Sequence, residues 1–147
     1  MSEHRATVEW QRSGEFRYAT YSRSHTLRFD GIAVPGSAAP ANIPATATGA
    51  AGVDPEQAFV GAISSCHMLW FLHLACQKQF VVDRYVDKAL GVLDKTWVSR
   101  VTLRPEVTFS GKAPTEEEHK ALHHRAHEKC YIANSVKTEI VVEPCLK

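Results

Sequence analysis

Among the residues able to do chemistry in this 147-residue chain, the four cysteines, Cys66, Cys76, Cys130 and Cys145, come first. A thiolate can attack the terminal oxygen of a peroxide and become a sulfenic acid, and a second cysteine can condense with that acid to a disulfide. A reference thiol with a pKa near ~8.5 is mostly protonated at neutral pH, so the attacking sulfur needs a cation or a helix N-terminus beside it. A guanidinium suits the task because it keeps its proton, and a carboxylate can hold it in position. Cys66 and Cys76 lie ten residues apart on what reads as one helix, about 15 Å along its axis. Bridged cysteines need Cα atoms within roughly 7 Å, so these two cannot pair. Cys66 and Cys130 are the pair that tertiary folding could bring together. The plain alternative is that all four pack as small hydrophobes, and composition alone favours it.

Histidines are the second group. His119, His123 and His127 recur every four residues and share one helical face, a spacing at which two imidazoles can hold zinc. The acidic neighbour and third ligand that a known zinc motif would supply are missing, so they read as an exposed face near a helix C-terminus, with no metal. His67 follows Cys66, but adjacent helical residues point about 100° apart. It is therefore read as a packed or dimer-contact histidine rather than a base for Cys66. Trp70, Phe71 and Leu72 are core residues first and walls of a substrate pocket second, and an apolar pocket near Cys66 would suit an organic peroxide.

The elements that must position these residues follow from local pattern. Ala6, Val8 and Trp10 alternate with polar residues, Phe16 to Tyr21 is β-prone, and His25 to Asp30 alternates again, giving three expected strands. Residues 31–53, with Pro35, Pro40, Pro44 and many alanines, show no period and read as a long loop. Asp54-Pro55-Glu56 opens a helix expected to run to about Gln79: an N-cap, a proline at the first position and an acid in the first turn. Strands are expected over 85–93 and 98–110. A second helix over 115–129 opens on the capping box Thr115-x-x-Glu118, and a last strand covers 137–143. The order β-β-β-α-β-β-α-β predicts one α+β domain over 1–147, with antiparallel sheet and helices packed on one face.

Composition excludes several function classes. A net charge of +1 gives no electrostatic case for nucleic acid or an anionic membrane. Apolar residues at 44% and charged residues at 22% are those of an ordinary soluble protein. The first residues lack the apolar core of a secretory signal, which favours the cytoplasm, where paired cysteines are more often catalytic or metal-binding than structural. The uncharged stretch from Ala58 to Cys76 approaches membrane-spanning length. With polar residues inside it and no second span, it reads instead as a helix buried in an oligomer.

The surroundings of the cysteines tip the balance toward chemistry. Asp54-Pro55-Glu56-Gln57-Ala58-Phe59, followed by Ala62-Ile63-Ser64-Ser65-Cys66, resembles the signature of the OsmC/Ohr family, the osmotically induced protein C and organic hydroperoxide resistance proteins. There a Pro-Glu motif leads into a helix whose peroxidatic cysteine follows the glutamate by ten positions, as Cys66 follows Glu56. A second cysteine follows the second helix, as Cys130 does, and Thr26-Leu27-Arg28-Phe29-Asp30-Gly31 is similar to the segment that supplies the active-site arginine. The resemblance implies that Cys66 attacks, Cys130 resolves, Arg28 stabilises the thiolate and Glu56 orients the guanidinium. It also implies an OsmC-like fold, antiparallel sheets wrapped around long central helices in an intertwined homodimer. The implied activity is reduction of organic hydroperoxides, recycled by a dithiol or a lipoylated protein, with no metal or organic cofactor. The alternative within the same fold is a redox-sensing or small-molecule-binding protein without efficient turnover. Two departures stand out: Tyr131 occupies a position where the family often has proline, and the loop 31–53 is longer than compact members need. Arg17 and Arg23 compete with Arg28 for its role. Glu56 and Cys66 on one straight helix would be roughly 15 Å apart, so a shared site needs a helix break near Gly61 or a Glu56 from the other subunit.

Overall fold

Asp54 opens the long helix by reciprocal hydrogen bonds. The Gln57 N–H donates to the Asp54 carboxylate at 2.8 Å, and the Asp54 N–H donates to the Gln57 side-chain oxygen at 3.1 Å. Such a cap satisfies two N–H groups that the first turn leaves unpaired and is worth about 1 kcal/mol. Helix α1 then runs unbroken over Pro55–Gln77. The second helix, α2 (Glu116–Lys129), carries the expected capping box: Glu118 N–H to Thr115 Oγ1 at 3.2 Å and Thr115 N–H to Glu118 Oε2 at 2.8 Å. Three glutamates in its first turn match the positive end of the helix dipole.

The computed structural model describes residues 1–147, which divide into two compact units, Met1–Ala58 and Phe59–Lys147. The first holds one antiparallel sheet of β1 (Thr7–Glu9), β2 (His25–Phe29) and β3 (Ile32–Gly36), in that spatial order. The second holds β4 (Val81–Asp87), β5 (Leu90–Asp94), β6 (Trp97–Leu103), β7 (Pro105–Ser110), β8 (Glu139–Val142) and β9 (Cys145–Leu146). They form two three-stranded sheets, β4-β7-β9 and β5-β6-β8. The fold class is α+β, as the sequence led us to expect.

Several elements differ from that expectation, each for a local reason. Phe16 to Tyr21 forms a turn in place of a strand, with the Arg17 carbonyl accepting from Thr20 N–H at 3.0 Å and Tyr21 N–H at 2.8 Å. Its aromatic residues pack on one another, Phe16 with Tyr21 at 4.9 Å and Trp10 with Phe16 at 5.8 Å between ring centroids. The stretch read as a loop over 31–53 begins with strand β3, reached by a tight hairpin in which Asp30 adopts a φ of 52°. Its remainder is tied down by backbone bonds, including Thr48 N–H to Thr20 O at 3.1 Å and Val53 N–H to Pro35 O at 2.9 Å. The run 98–110 splits into β6 and β7 at Arg104, whose N–H donates to Asp87 at 2.6 Å. The sheets are mixed: β8 joins β6 and β9 joins β7 in parallel.

The core of the second unit lies against one stripe of α1. Ile63, His67, Phe71 and Ala75 are its buried residues, four positions apart. Phe71 and Ala75 pack with Phe80, Val107, Leu122 and Ala126, and Ile63 packs with Val101 and Leu103. α1 is long and apolar enough, by length and composition, to cross a membrane, but only one stripe of it is covered within this chain. Ala58, Ala62, Ser65, Leu69 and Cys76, none of them charged, are exposed on it. A helix apolar on nearly every side is thus half covered.

Candidate active site

Cys66 sits midway along α1 and Cys130 caps the C-terminal end of α2, where its N–H donates to the His127 carbonyl at 3.2 Å. The packing of the two helices brings the side chains of Cys66 and Cys130 close enough for Cys66 to raise the Cys130 pKa. All four cysteines are free thiols. Cys130 is buried, at 1% exposure, while Cys66 is half-buried. Burial pushes the Cys130 thiol up to about 11; the Ala133 N–H, donating to its sulfur at 3.4 Å, opposes that rise, and Cys66 adds to it. Cys66 opens onto a cavity of about 290 Å³ lined with Leu69, Trp70, His73 and Tyr131. Three of these recur on α1 at the third, fourth and seventh positions after Cys66, a spacing that keeps them on its side of the helix. Trp70 and Tyr131 meet edge to face at 5.5 Å. α1 is anchored nearby through the Ser64 hydroxyl, which donates to the Asp87 carboxylate. Cys76 and Cys145 are exposed, each without a neighbouring cysteine partner.

The histidines overturn the reading of an exposed helical face. His119 and His123 are 1% and 2% exposed and join His67, also buried, in a chain. His67 Nε2 meets His123 Nδ1 at 2.9 Å, and His123 Nε2 meets His119 Nε2 at 3.3 Å. α2 buries the face that the four-residue spacing defines because its opposite face, with Glu117, Lys120 and His124, is charged and wet. His67 is a packed histidine, as expected from its angle to Cys66. Burial, reinforced by His127, lowers the His67 pKa to about 4. Burial, then His67 and His119, lowers that of His123 to about 2, and burial lowers that of His119.

These shifts fix the sign of an acid response. Below pH 6.5 an unfolded chain takes up protons on histidines that the native state keeps neutral, so stability falls with pH. The loss begins near 6.5 and continues to about 4 for His67 and lower for His123. At 1.36 kcal/mol per unit, two such histidines cost roughly 2–4 kcal/mol between pH 7 and pH 5. Urea midpoints at the two pH values should show this loss, and His123→Phe, which removes one of the titrating rings, should flatten it.

The remaining sequence-derived candidates lie at the first unit and the start of α1. Arg28 is on β2, where its Nε donates to Glu9 at 2.7 Å across the β1–β2 ladder, both side chains about half exposed. Arg17 pairs with Glu15 at 3.0 Å on the surface. Arg23 differs from both. It lines a cavity of about 460 Å³ together with Glu56, Trp10, Phe16 and Tyr21. Its guanidinium is held by the Tyr21 carbonyl at 2.7 Å and the Tyr18 carbonyl at 2.9 Å, and lies 3.5 Å from the centroid of the Tyr21 ring. Glu56 thus shares a cavity lining with Arg23, and Arg28 is not part of that lining. What marked Arg23 in sequence was its interleaving with aromatics, Phe16, Tyr18 and Tyr21. Because α1 passes Gly61 without a break, Glu56 and Cys66 of one chain stand ten helical residues, about 15 Å, apart.

Comparison with known proteins adds the lineage. A family model described as OsmC-like protein matches residues 47–144. An OsmC-like protein of unknown function from Vibrio cholerae O1 biovar eltor str. N16961 is 47% identical, with a TM-score of 0.92 covering 99% of this chain and 100% of that one. An OsmC-like protein from Mycoplasma pneumoniae, at 15% identity, gives a TM-score of 0.77 over 99% of this chain and 97% of its own. The organic hydroperoxide resistance protein OhrB of Bacillus subtilis, at 21% identity, gives 0.62 over 97% and 98%. At those last two identities the likeness is one of fold. No curated protein matches the chain.

Proposed function

Because the chain belongs to the OsmC-like family, we propose that it is a cytoplasmic thiol peroxidase that reduces organic hydroperoxides through Cys66 and Cys130. The observation that supports this reading is the nearness of the two cysteines, with Cys66 close enough to raise the Cys130 pKa; Cys66 is half-buried beside an apolar cavity and Cys130 is buried. The Cys66 thiolate attacks the terminal oxygen of R–O–OH. The O–O bond breaks, R–O⁻ leaves and takes a proton to become the alcohol, and the sulfur is oxidised to the sulfenic acid. The Cys130 sulfur then displaces the hydroxyl group, which leaves as water, and a disulfide forms. A dithiol, free or carried on a lipoylated protein, returns both cysteines to thiols and is itself oxidised to a disulfide. No metal or organic cofactor takes part in these steps.

Arg23 is proposed as the guanidinium that steadies the thiolate and the developing alkoxide, with Glu56 holding it. It takes the place expected for Arg28, whose charge is already engaged by Glu9. Since ten helical residues separate Glu56 from Cys66 in one chain, the site is completed by Glu56 and Arg23 of a second copy. The exposed uncharged stripe of α1 around Leu69, which is 60% exposed, is the face that copy would cover. Sedimentation at micromolar concentration should give a dimer of about twice the 16.3 kDa chain mass, whereas Leu69→Glu should shift it toward monomer and lose activity with it. A wild-type protein that sediments as an active monomer would contradict the shared site.

The direct test of function is consumption of cumene hydroperoxide in the presence of excess dithiothreitol. Sustained turnover supports the peroxidase. One observation favours the alternative of a redox sensor: the Cys130 thiol, pushed up to about 11, is a reluctant attacking group at neutral pH. A sensor would consume a single equivalent of peroxide per chain and then stop.

A further inference from the structure

We propose that His67 and His123 are positioning residues, whose buried hydrogen bond sets the register between α1 and α2 that holds the Cys66 sulfur against the Cys130 sulfur, an inference that rests on the thiol reading above. Apolar contacts such as those of Phe71 and Ala75 with Leu122 and Ala126 hold the helices together but have little direction. The His67 Nε2 to His123 Nδ1 contact at 2.9 Å is directional. It is placed where register matters. His67 is the residue after Cys66. His123 precedes Cys130 by seven residues, two helical turns, and points within about 20° of it. The ring contact fixes one point of the helix pair roughly 10 Å along α2 from Cys130, and being directional it restrains both the sliding and the rotation that would carry Cys130 away from Cys66.

The imidazoles are themselves held. The His67 and His123 rings are parallel to within 1° with centroids 5.3 Å apart, and His123 stacks on Phe71 at 4.2 Å. His119 stands edge-on to His123 at 4.6 Å and accepts or donates the second bond at 3.3 Å. A neutral chain can be protonated in two ways, with His123 donating either to His67 or to His119, and each pattern makes both bonds. Other titratable groups nearby are His127 on α2 and Tyr85 on β4, the latter beside Asp87. Buried polar contacts that select one register over its neighbours are the best-attested use of polar groups in an apolar interior.

The test exploits reach. A glutamine amide extends to about the position of an imidazole Nε2, and an asparagine amide only to that of Nδ1. His67 uses Nε2 and His123 uses Nδ1 in their shared bond. In full-length protein with Cys76→Ser and Cys145→Ser, the equilibrium of the Cys66–Cys130 disulfide with dithiothreitol at pH 8 reports how closely the two sulfurs are held. At position 67, Gln should lie within about threefold of the parent and Asn about five- to tenfold below it. At position 123 the order should reverse, with Asn near the parent and Gln reduced. That reversal is not expected of residues that merely fill space or carry polarity, and either position alone gives the comparison should a variant at the other fail to fold. The same order at both positions, or no difference at either, overturns the positioning role while leaving the thiol pair intact. A parent protein that forms no Cys66–Cys130 disulfide overturns the thiol reading and the positioning role together.

Discussion

Cys66→Ser should lower the steady-state reduction of cumene hydroperoxide by dithiothreitol by about a thousandfold or more, because a serine hydroxyl is not ionised at neutral pH and is a far weaker nucleophile toward peroxide oxygen. The companion substitution separates the two halves of the reaction. Cys130→Ser should leave the first oxidation of Cys66 intact and block closure to the disulfide, so one equivalent of peroxide is consumed rapidly. The product should carry a sulfenic acid on Cys66 that a dimedone probe labels, and continued recycling by a dithiol should be lost. Neither substitution should unfold the protein. Cys66 is half-buried, and serine at Cys130 can still accept from the Ala133 N–H. Steady-state turnover that survives in Cys66→Ser would remove Cys66 from the chemistry, whatever the fold.

The second large effect belongs to the guanidinium. Arg23→Ala should slow the second-order oxidation of Cys66 by about a hundredfold, the usual consequence of deleting a preorganised group that stabilises developing negative charge. Arg23→Lys should recover part of that loss, since an ammonium supplies charge without the planar fork. Arg28→Ala should change the rate by less than about twofold, because an exposed ion pair with Glu9 contributes little. Stopped-flow measurement of thiol loss against peroxide concentration distinguishes the three. The reverse ranking, with Arg28→Ala inactive and Arg23→Ala unaffected, would return the role to Arg28 and remove the cavity shared by Arg23 and Glu56 from the site.

Much of this arrangement was legible in the sequence. The helix boundaries were, because caps are local: Asp54 with Gln57 and Thr115 with Glu118 make hydrogen bonds within four residues. Cys66 and Cys130 stood as a candidate pair because Cys76 lies too far along the helix to bridge Cys66, and the resemblance around Glu56 gave that pair its implied roles. What the sequence hid depends on contacts between distant segments. The parallel addition of β8 to β6 and β9 to β7 has no periodic signature of its own. The split of β6 from β7 turns on Asp87, 17 residues before the Arg104 N–H it accepts from. Histidines at 119 and 123, which are buried, looked solvated because histidine is a polar residue near a helix end. Only His67, 56 positions before His123 in sequence, supplies the partner that makes their burial tolerable. The choice among Arg28, Arg17 and Arg23 stayed open in the sequence, because neither strand pattern nor motif shows which guanidinium an acidic neighbour engages, as Glu9 engages Arg28.

The fate of the oxidised sulfur decides whether this chain is a thiol peroxidase. Fully reduced protein should be treated with one equivalent of cumene hydroperoxide per chain, quenched with an alkylating reagent, digested and mapped by mass spectrometry. The expected product is a single intramolecular disulfide joining Cys66 to Cys130, formed with loss of two thiols, while Cys76 and Cys145 remain alkylated. Peroxide left unconsumed, or consumed with Cys66 still reduced, would contradict the assignment of this chain as a thiol peroxidase.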